Sequence, residues 1–330
     1  MAAEARPVVL LAVPPHPDAR ALLEQEASVM ECGVLTEAAI IAAAQEAEGL
    51  LIRHKPLCTE ALMAGCPRLR VIGRYGAGLD TVDLAAATRA GVAIVHAPDA
   101  NAPAAAEHAL MLMLHCVKNT RVTDRMARAG DWRQVRYQGI TELRGKTLGI
   151  IGVGRIGRTV AQLAAAFGMR RIGFDIALPA DELRRRGVEP AHSLEALLAA
   201  SDVVTCHTPL TERTRRLIDR AAVARMKRGA IFINTSRGGV HDEAALYEAL
   251  VDGRLRAAGL DVWEQEPPSP DNPLFRLDQV VCTPHVAGVT EEADRAIALQ
   301  VTGEMLRVLR GDKPEALANP EVWPRPLQRP

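Results

Sequence analysis

Short apolar runs alternate with helical patterns over the first hundred residues. Four runs rich in Val, Ile and Leu have the length of strands, namely Val8–Val13, Gly49–Ile52, Arg70–Ile72 and Val92–Val95. Between them, apolar residues recur at helical spacing in Ala19–Val29, Glu37–Ala47 and Leu84–Ala90. Such alternation is typical of a parallel sheet covered by helices on both faces. The pattern therefore predicts an α/β domain here.

A second α/β series begins at Thr147, after a helical stretch from Ala104 to about Arg128. The segment Ala109–Val117 of that stretch is apolar nearly all round, which predicts that it is buried. The strands predicted next are Thr147–Ile151, Arg170–Asp175, Val203–Cys206, Ala230–Asn234, Ala257–Leu260 and Val280–Cys282. The predicted helices are Arg155–Phe167, Leu194–Ala200, Ala221–Met226, Glu243–Val251 and Glu291–Leu309. This order predicts a second doubly wound parallel sheet.

Length and charge limit the class of protein. At 330 residues the chain exceeds the size at which one hydrophobic core usually keeps growing, so we expect two domains. Its 40 basic and 40 acidic residues leave no net field to attract DNA or an anionic membrane. No apolar run approaches the ~18 residues of a membrane span. Nucleic acid and membranes are therefore not expected partners.

The six cysteines indicate a reducing compartment. They are scattered, with no C-x-x-C pair and no spacing typical of a disulfide framework or a zinc site. The apolar run Val8–Val13 is stopped by Pro14 and Pro15 and is too short for the core of a signal peptide. We therefore expect a cytoplasmic protein with no metal site.

A glycine motif follows the first strand of the second series. Gly152, Gly154 and Gly157 form G-V-G-R-I-G between a predicted strand and a predicted helix. Here glycines allow a tight turn, close approach of the backbone to a pyrophosphate, and close packing of helix on strand. Asp175 ends the next strand, where a carboxylate accepts hydrogen bonds from a ribose and repels a 2′-phosphate. The motif predicts a dinucleotide site that prefers NAD, and we expect Arg184–Arg186 to be a solvated helix face.

Seven stretches, in order along the chain, carry a family resemblance. They are Gly73–Asp83 (GRYGAGLDTVD), Asn101–His108 (NAPAAAEH), Leu143–Gly157 (LRGKTLGIIGVGRIG), His207–Thr211 (HTPLT), Ile233–Gly239 (INTSRGG), Gly259–Pro268 (GLDVWEQEPP) and Thr283–Gly288 (TPHVAG). They resemble the D-isomer-specific 2-hydroxyacid dehydrogenases over almost the whole chain. The resemblance implies a Rossmann-like cofactor domain, residues 103–291, inserted into a flavodoxin-like substrate domain, residues 1–102 plus 292–330. It also implies an active site in the interdomain cleft and a homodimer.

The resemblance implies three catalytic residues, Arg237, Glu266 and His285. Oxidising an alcohol next to a carboxylate needs a cation for the carboxylate, a base for the hydroxyl proton and a hydride acceptor. Arg237 follows a predicted strand and has a fork suited to a carboxylate. Its implied role includes polarising the substrate's C2 oxygen. An imidazole can give or take a proton near neutral pH, so His285 is the acid/base candidate, with Glu266 as its implied hydrogen-bond partner.

The resemblance also implies binding residues. The implied cofactor contacts are Gly152, Gly154, Arg155, Ile156, Gly157, Asp175, Thr208, Pro209, Asp261 and Gly288. The backbone N–H groups of Gly76, Ala77 and Gly78 would bind the other side of the substrate carboxylate, and Tyr75 would point its hydroxyl at the pocket. We expect His108 to pack between the domains. His241 stands where relatives usually carry an apolar residue, and no function is assigned to it.

The choice of substrate is open at this stage. Leu51–Thr59 resembles a region of the 3-phosphoglycerate dehydrogenases and places Arg53 where that branch binds a phosphate, but the match departs after Arg53. An anionic distal group such as that of 3-phosphoglycerate, reduction of hydroxypyruvate or glyoxylate, and a solvated loop at Arg53 all remain open. From the chain length we expect no appended regulatory domain. A non-catalytic NAD-sensing corepressor is the alternative from another functional class.

Overall fold

The computed structural model of the chain describes residues 6–132 and 139–324. The chain forms two compact units: unit 1 comprises Met1–Asn101 and Val289–Pro330, and unit 2 comprises Ala102–Gly288. Each unit contains a parallel sheet with helices between its strands. The prediction of two doubly wound α/β domains is therefore confirmed. No helix among the described residues is both long and apolar enough to cross a membrane.

The described residues form strands and helices that we number along the chain. The strands are β1 Val8–Leu11, β2 Ser28–Glu31, β3 Gly49–Ile52, β4 Val71–Arg74, β5 Ala93–His96, β6 Thr147–Ile151, β7 Arg170–Phe174, β8 Glu189–Pro190, β9 Val203–Cys206, β10 Ala230–Asn234, β11 Leu255–Leu260 and β12 Val280–Cys282. The helices are α1 Pro17–Glu26, α2 Glu37–Ala43, α3 Glu60–Gly65, α4 Leu84–Ala90, α5 Ala102–Lys118, α6 Thr120–Arg128, α7 Arg155–Ala166, α8 Ala180–Arg185, α9 Leu194–Ala200, α10 Arg220–Arg225, α11 Glu243–Val251 and α12 Glu291–Arg310.

Unit 1 has the strand order β2-β1-β3-β4-β5, with all neighbouring strands parallel. Side chains alternate between the two faces of β1, so Val9 and Leu11 pack in one apolar cluster and Leu10 in another. The helix α12 packs against β4, where a Cβ on Gly73 would lie 2.2 Å from the Met305 sulfur. Glycine at this position therefore lets the last helix pack directly on the sheet.

Unit 2 has the strand order β12-β11-β10-β9-β6-β7-β8, again all parallel. The order reverses between β6 and β9, and ligands of such sheets bind beyond the carboxyl ends of the strands at that point. The apolar helix α5 packs on α7 and on β10 and β11 within unit 2. The predicted burial of Ala109–Val117 is borne out at Ala109, Leu112 and Val117.

The structure differs from the sequence expectations in several elements. The predicted helix through residue 128 is broken at Asn119, which has a left-handed backbone (φ 50°) that asparagine tolerates better than most residues. The first helix ends at Glu26, and Ser28–Glu31 forms an exposed edge strand instead of continuing it. Two short elements, α3 and β8, were not predicted, because neither is long enough to produce a clear period in the sequence, and α8 was expected only as the helix that carries the arginine run.

Candidate active site

The glycine loop lies where the strand order of unit 2 reverses. Gly152 follows β6 with φ 83°, and a Cβ there would lie 2.8 Å from the His207 carbonyl oxygen. A Cβ on Gly157 would lie 2.1 Å from the Gly152 carbonyl oxygen, so only glycine lets α7 begin this close to β6. At Gly154 a Cβ would meet no described atom within 4 Å. The loop therefore leaves space at the N-terminus of α7, which fits the pyrophosphate of a dinucleotide.

Asp175, just after β7, is bound to the glycine loop. One carboxylate oxygen accepts a hydrogen bond from the Val153 N–H (2.9 Å), and the other accepts one from the Ala177 N–H (2.9 Å). The side chain is only half-buried. The carboxylate is thus held beside the loop with room to meet a further donor, as a ribose contact requires.

The arginine run after Asp175 divides into two kinds of residue. Arg184 and Arg185 are exposed and form ion pairs within α8, as a solvated helix face would. Arg186 instead donates from Nη1 to the Val153 carbonyl (2.7 Å), and its Nε pairs with Glu182 (2.7 Å). The expectation of a solvated face is therefore wrong for Arg186, which supports the glycine loop.

The residues after β9 contribute a second wall beside Gly152. A Cβ on Gly152 would lie 2.8 Å from Thr208 Cγ2, and the Thr208 hydroxyl is buried with no hydrogen-bond partner in the described part of the chain. The next carbonyl, that of Pro209, accepts a hydrogen bond from the Thr214 hydroxyl (2.6 Å). An unpartnered buried hydroxyl beside an open glycine loop suits a cofactor contact.

The other implied cofactor contacts in unit 2 lie in two places. Arg155 and Ile156 form the first turn of α7, next to Gly154; Arg155 is exposed and Ile156 is half-buried. Gly288 is half-buried at the end of unit 2. Their contact with NAD stays a prediction.

Arg237 lies on the loop after β10, which is held by Asn234 at the end of the strand. Asn234 Oδ1 accepts hydrogen bonds from the N–H (2.9 Å) and hydroxyl (2.7 Å) of Ser236, and Nδ2 donates to the Arg237 carbonyl (3.0 Å). A Cβ on Gly238 would lie 1.8 Å from the Trp263 carbonyl oxygen, so this loop packs directly against the loop that follows β11. Arg237 is half-buried at the carboxyl edge of the sheet, where ligands of this fold bind.

Glu266 and His285 form a hydrogen-bonded pair. His285 Nδ1 lies 2.6 Å from Glu266 Oε2, while Glu266 Oε1 accepts from the Trp263 N–H (3.1 Å). Burial opposes ionisation of Glu266, but these hydrogen bonds and the positive charge of Arg237 outweigh it and hold the pKa of Glu266 below its ordinary value. An ionised Glu266 orients the ring, leaving Nε2 to meet a substrate.

His285 has a left-handed backbone, with φ 56°, which is unfavourable for a histidine. Asp261 holds it there: the His285 N–H donates to the Asp261 carbonyl (2.8 Å), and the fully buried carboxylate accepts from the N–H groups of Val286 (2.9 Å) and Ala287 (2.9 Å). The Thr283 hydroxyl donates to the same carboxylate at 2.5 Å. Asp261 therefore organises the histidine loop, while its implied nicotinamide contact stays a prediction.

His108 belongs to the same cluster. Its Nε2 lies 3.0 Å from the Thr283 hydroxyl and 3.6 Å from an Asp261 oxygen, so α5 supports the histidine loop from within unit 2. Burial lowers the pKa of His108, and the Asp261 carboxylate opposes that shift. The expectation that His108 packs between the domains did not include this contact. A histidine near the start of a mostly apolar helix was the signal that could have revealed it.

The loop Gly76–Gly78 follows β4 in unit 1. Gly76 has φ 141°, a backbone conformation that residues with a side chain rarely adopt. The Gly76 carbonyl accepts from the Ala97 N–H (3.0 Å), and His96 Nδ1 lies 3.0 Å from the Ala77 carbonyl oxygen. The amide groups of Ala77 and Gly78 donate no hydrogen bond within residues 6–132 and 139–324. These two donors suit an anion.

Tyr75 and Arg53 form a polar cluster with α12 in unit 1. The Tyr75 ring is buried, and its hydroxyl donates to the Asp294 carbonyl (3.2 Å) and accepts from the His16 N–H (3.4 Å). The hydroxyl that was expected to point at a substrate thus has two backbone partners instead. The Arg53 guanidinium lies 5.3 Å from the Tyr75 ring centroid, and its Nη1 lies 3.7 Å from the Asp294 carboxylate. The implied substrate contacts of Arg53 and Tyr75 stay predictions.

Known proteins resemble both the sequence and the fold of the chain. The family model described as the NAD binding domain of D-isomer specific 2-hydroxyacid dehydrogenases matches residues 110–287. The D-3-phosphoglycerate dehydrogenase of Methanocaldococcus jannaschii is 42% identical over 94% of this chain and 59% of its own length. The hydroxypyruvate reductase of Thermotoga maritima is 40% identical over 80% of this chain and 85% of its own length. The structure of Aquifex aeolicus D-lactate dehydrogenase with NAD and lactic acid has a TM-score of 0.80 and 29% identity, covering 92% of this chain and 96% of that one.

These matches define the class of protein. The chain belongs to the D-isomer specific 2-hydroxyacid dehydrogenase family, in its branch similar to 3-phosphoglycerate dehydrogenase, and NAD is its cofactor. The chain spans about half to three fifths of the length of the D-3-phosphoglycerate dehydrogenases it matches.

The position of Asp175 leads to a test of cofactor preference. We predict that Asp175→Ala narrows the preference for NADH over NADPH about ten- to hundredfold, because a charged hydrogen-bond acceptor contributes about 1.5–3 kcal/mol and also repels a 2′-phosphate. The ratio of kcat/KM for the two cofactors measures the change. Asp181→Ala, which removes an exposed carboxylate on α8, is the matched control. A wild-type preference for NADPH would contradict the assignment.

Proposed function

We propose that the protein is an NAD-dependent oxidoreductase that transfers a hydride between NAD(H) and C2 of a small D-2-hydroxy acid or 2-oxo acid. The observation that carries this proposal is the Glu266–His285 pair at 2.6 Å, on a loop that Asp261 holds in a left-handed conformation. Strained residues that several contacts hold in place cluster at active sites. Arg237 acts on the charge of Glu266 and supplies the cation that a carboxylate substrate requires.

In this mechanism, Arg237 and His285 act on the substrate, and Glu266 acts through His285. Arg237 binds the carboxylate and polarises the C2 oxygen. His285 donates a proton from Nε2 to the C2 oxygen during reduction and takes it back during oxidation. Glu266 keeps the imidazole oriented and stabilises its protonated form. NAD, when bound, supplies or accepts the hydride.

The residues of the glycine loop would hold the cofactor. The N-terminus of α7 and the open position at Gly154 would receive the pyrophosphate, and Asp175 the adenosine ribose. The unpartnered Thr208 hydroxyl gives the loop a further polar contact. These features support the predicted cofactor residues within unit 2.

For the substrate, we propose a small 2-oxo acid with an uncharged distal group, such as hydroxypyruvate or glyoxylate. The supporting observation is the Asp294 carboxylate, which lies 3.7 Å from Arg53 and would compete with, and repel, an anionic distal group. The guanidinium also lies over the Tyr75 ring, which fixes its position. The second candidate is the phosphorylated 2-oxo acid that corresponds to 3-phosphoglycerate, which the similarity to 3-phosphoglycerate dehydrogenases favours.

A corepressor that senses NAD without turnover is the alternative from a different functional class. Such a protein can retain the histidine paired with its carboxylate, so turnover, and not the geometry of this pair, separates it from the enzyme. Turnover of glyoxylate, hydroxypyruvate and pyruvate with NADH distinguishes the two. Tight NADH binding with no turnover of any 2-oxo acid would favour the corepressor.

We further propose a cytoplasmic homodimer. All six cysteines are free, as in a reducing compartment. The apolar residues of α5 pack within unit 2, so they do not argue for an interface. The family resemblance implies the dimer. Sedimentation at micromolar concentration should give about twice the chain mass of 35.5 kDa, and a species of monomer mass would contradict the proposal.

The Glu266–His285 pair leads to a pH test of the mechanism. We predict that Glu266→Gln shifts the alkaline limb of kcat/KM for oxo-acid reduction to lower pH, because the protonated imidazole loses a stabilising negative charge. His285→Ala should lower kcat about 10²- to 10⁴-fold while NADH still binds. Glu264→Gln, two residues away and exposed, is the matched control. If Glu266→Gln left the pH profile unchanged, the Glu266–His285 pair would not determine the pH at which kcat/KM falls on the alkaline side.

The Arg53–Asp294 pair leads to a test of substrate class. We predict that Asp294→Asn raises kcat/KM for the phosphorylated relative to the unphosphorylated hydroxypyruvate, because it removes the competing carboxylate and leaves Arg53 in place. Arg53→Ala should abolish that gain when combined with Asp294→Asn. The Tyr75 hydroxyl bonds to the backbone of Asp294, so the Asn variant keeps this contact. A wild-type enzyme that prefers the phosphorylated substrate would contradict the proposal.

A further inference from the structure

His241 is a fully buried histidine for which the proposed mechanism has no use. It lies three residues beyond Gly238, after the loop that carries Arg237, and its ring packs edge-on against Phe232 with centroids 5.8 Å apart. Its Nδ1 lies 2.8 Å from Asn234 Nδ2. Its Nε2 is buried with no hydrogen-bond partner among the described residues. An apolar side chain would fill this space without burying an unpartnered nitrogen, so core packing alone does not explain a histidine.

The orientation of the Asn234 amide follows from its other partners. Its Oδ1 faces the Ser236 N–H, which only donates, and its Nδ2 faces the Arg237 carbonyl, which only accepts. A flipped amide would break both contacts, so the assignment of oxygen and nitrogen is unambiguous. The second hydrogen of Nδ2 must therefore be donated to His241 Nδ1.

This hydrogen bond defines the state of the His241 ring. Because Nδ1 accepts, the ring is neutral and carries its proton on Nε2. Burial lowers the pKa of His241 to about 4, and the charge of Asp242 opposes the shift only in part. The ring therefore stays an acceptor for Asn234 throughout the neutral range.

We propose that His241 is a positioning residue for Arg237: it holds the Asn234 amide, which in turn holds the Arg237 carbonyl. The same amide nitrogen binds both partners, so the two hydrogen bonds share one side-chain orientation. With the acceptor removed, the second N–H of Asn234 is buried without a partner, and the Arg237 carbonyl, which also accepts from the Val240 N–H (3.2 Å), is held less firmly. This inference rests on the proposed function only in assigning the substrate carboxylate to Arg237.

Two variants whose side chains branch at the same atom distinguish the effect of the hydrogen bond from the effect of side-chain packing. Asparagine places its Oδ1 where histidine has Nδ1, so His241→Asn keeps the acceptor, whereas His241→Leu has the same branching without one. With NADH and glyoxylate, we expect His241→Leu to raise KM about fivefold, the value of one hydrogen bond, with a smaller change in kcat and an unchanged Kd for NADH. His241→Asn should restore KM to within about twofold of the wild type.

A second measurement does not depend on turnover. Hydrogen exchange of the segment 235–241, followed by mass spectrometry, should be faster in His241→Leu than in the wild type and close to the wild type in His241→Asn. Equal exchange in all three proteins, or an equal increase in both variants, would overturn the positioning role. A lower Tm in both variants with no change in KM would also overturn it. If the wild type turned over no 2-oxo acid, the proposed function would fail, and the exchange data would still decide the role of His241.

Discussion

The fully buried carboxylate of Asp261 is the interaction on which the candidate active site depends. It accepts hydrogen bonds from Thr283, Val286 and Ala287, and its own carbonyl receives the His285 N–H. A buried charge is costly unless several donors surround it, and here most of the donors come from one loop. The same contacts that stabilise the carboxylate therefore impose a left-handed backbone on His285 and aim its ring at Glu266.

Polar side chains at the ends of two other strands of unit 2 also hold loops in place through hydrogen bonds to the backbone. Asn234 ends β10 and binds the loop of Arg237, and Asp175 follows β7 and binds the glycine loop through the Val153 N–H. In a parallel sheet the carboxyl ends of all strands meet at one edge, so polar side chains there can each anchor a neighbouring loop. Rigid strands thus position the loops that carry the candidate catalytic and cofactor residues.

Two arginines, one in each unit, lie beside acids. Arg186 pairs with Glu182 while it binds the glycine loop, and Arg53 lies beside Asp294. In each case the arginine acts as a hydrogen-bonding or packing group with a reduced net charge, which weakens its attraction for a phosphate. The similarity to 3-phosphoglycerate dehydrogenases is therefore compatible with a different preference at the distal end of the substrate.

The sequence by itself determined the class of fold, the glycine loop and the family, because these depend on local periodicity and on residues adjacent along the chain. The glycines of G-V-G-R-I-G needed only a strand before them and a helix after them, and the structure supplies both. Only the tertiary structure decided how distant side chains combine. His108 and Thr283 are 175 residues apart, Arg53 and Asp294 lie in different parts of the sequence, and Arg186 reaches back to Val153. His241, which looked like an isolated substitution, became interpretable only when the orientation of Asn234 was known, because a hydrogen bond is defined by geometry that no spacing in a sequence encodes.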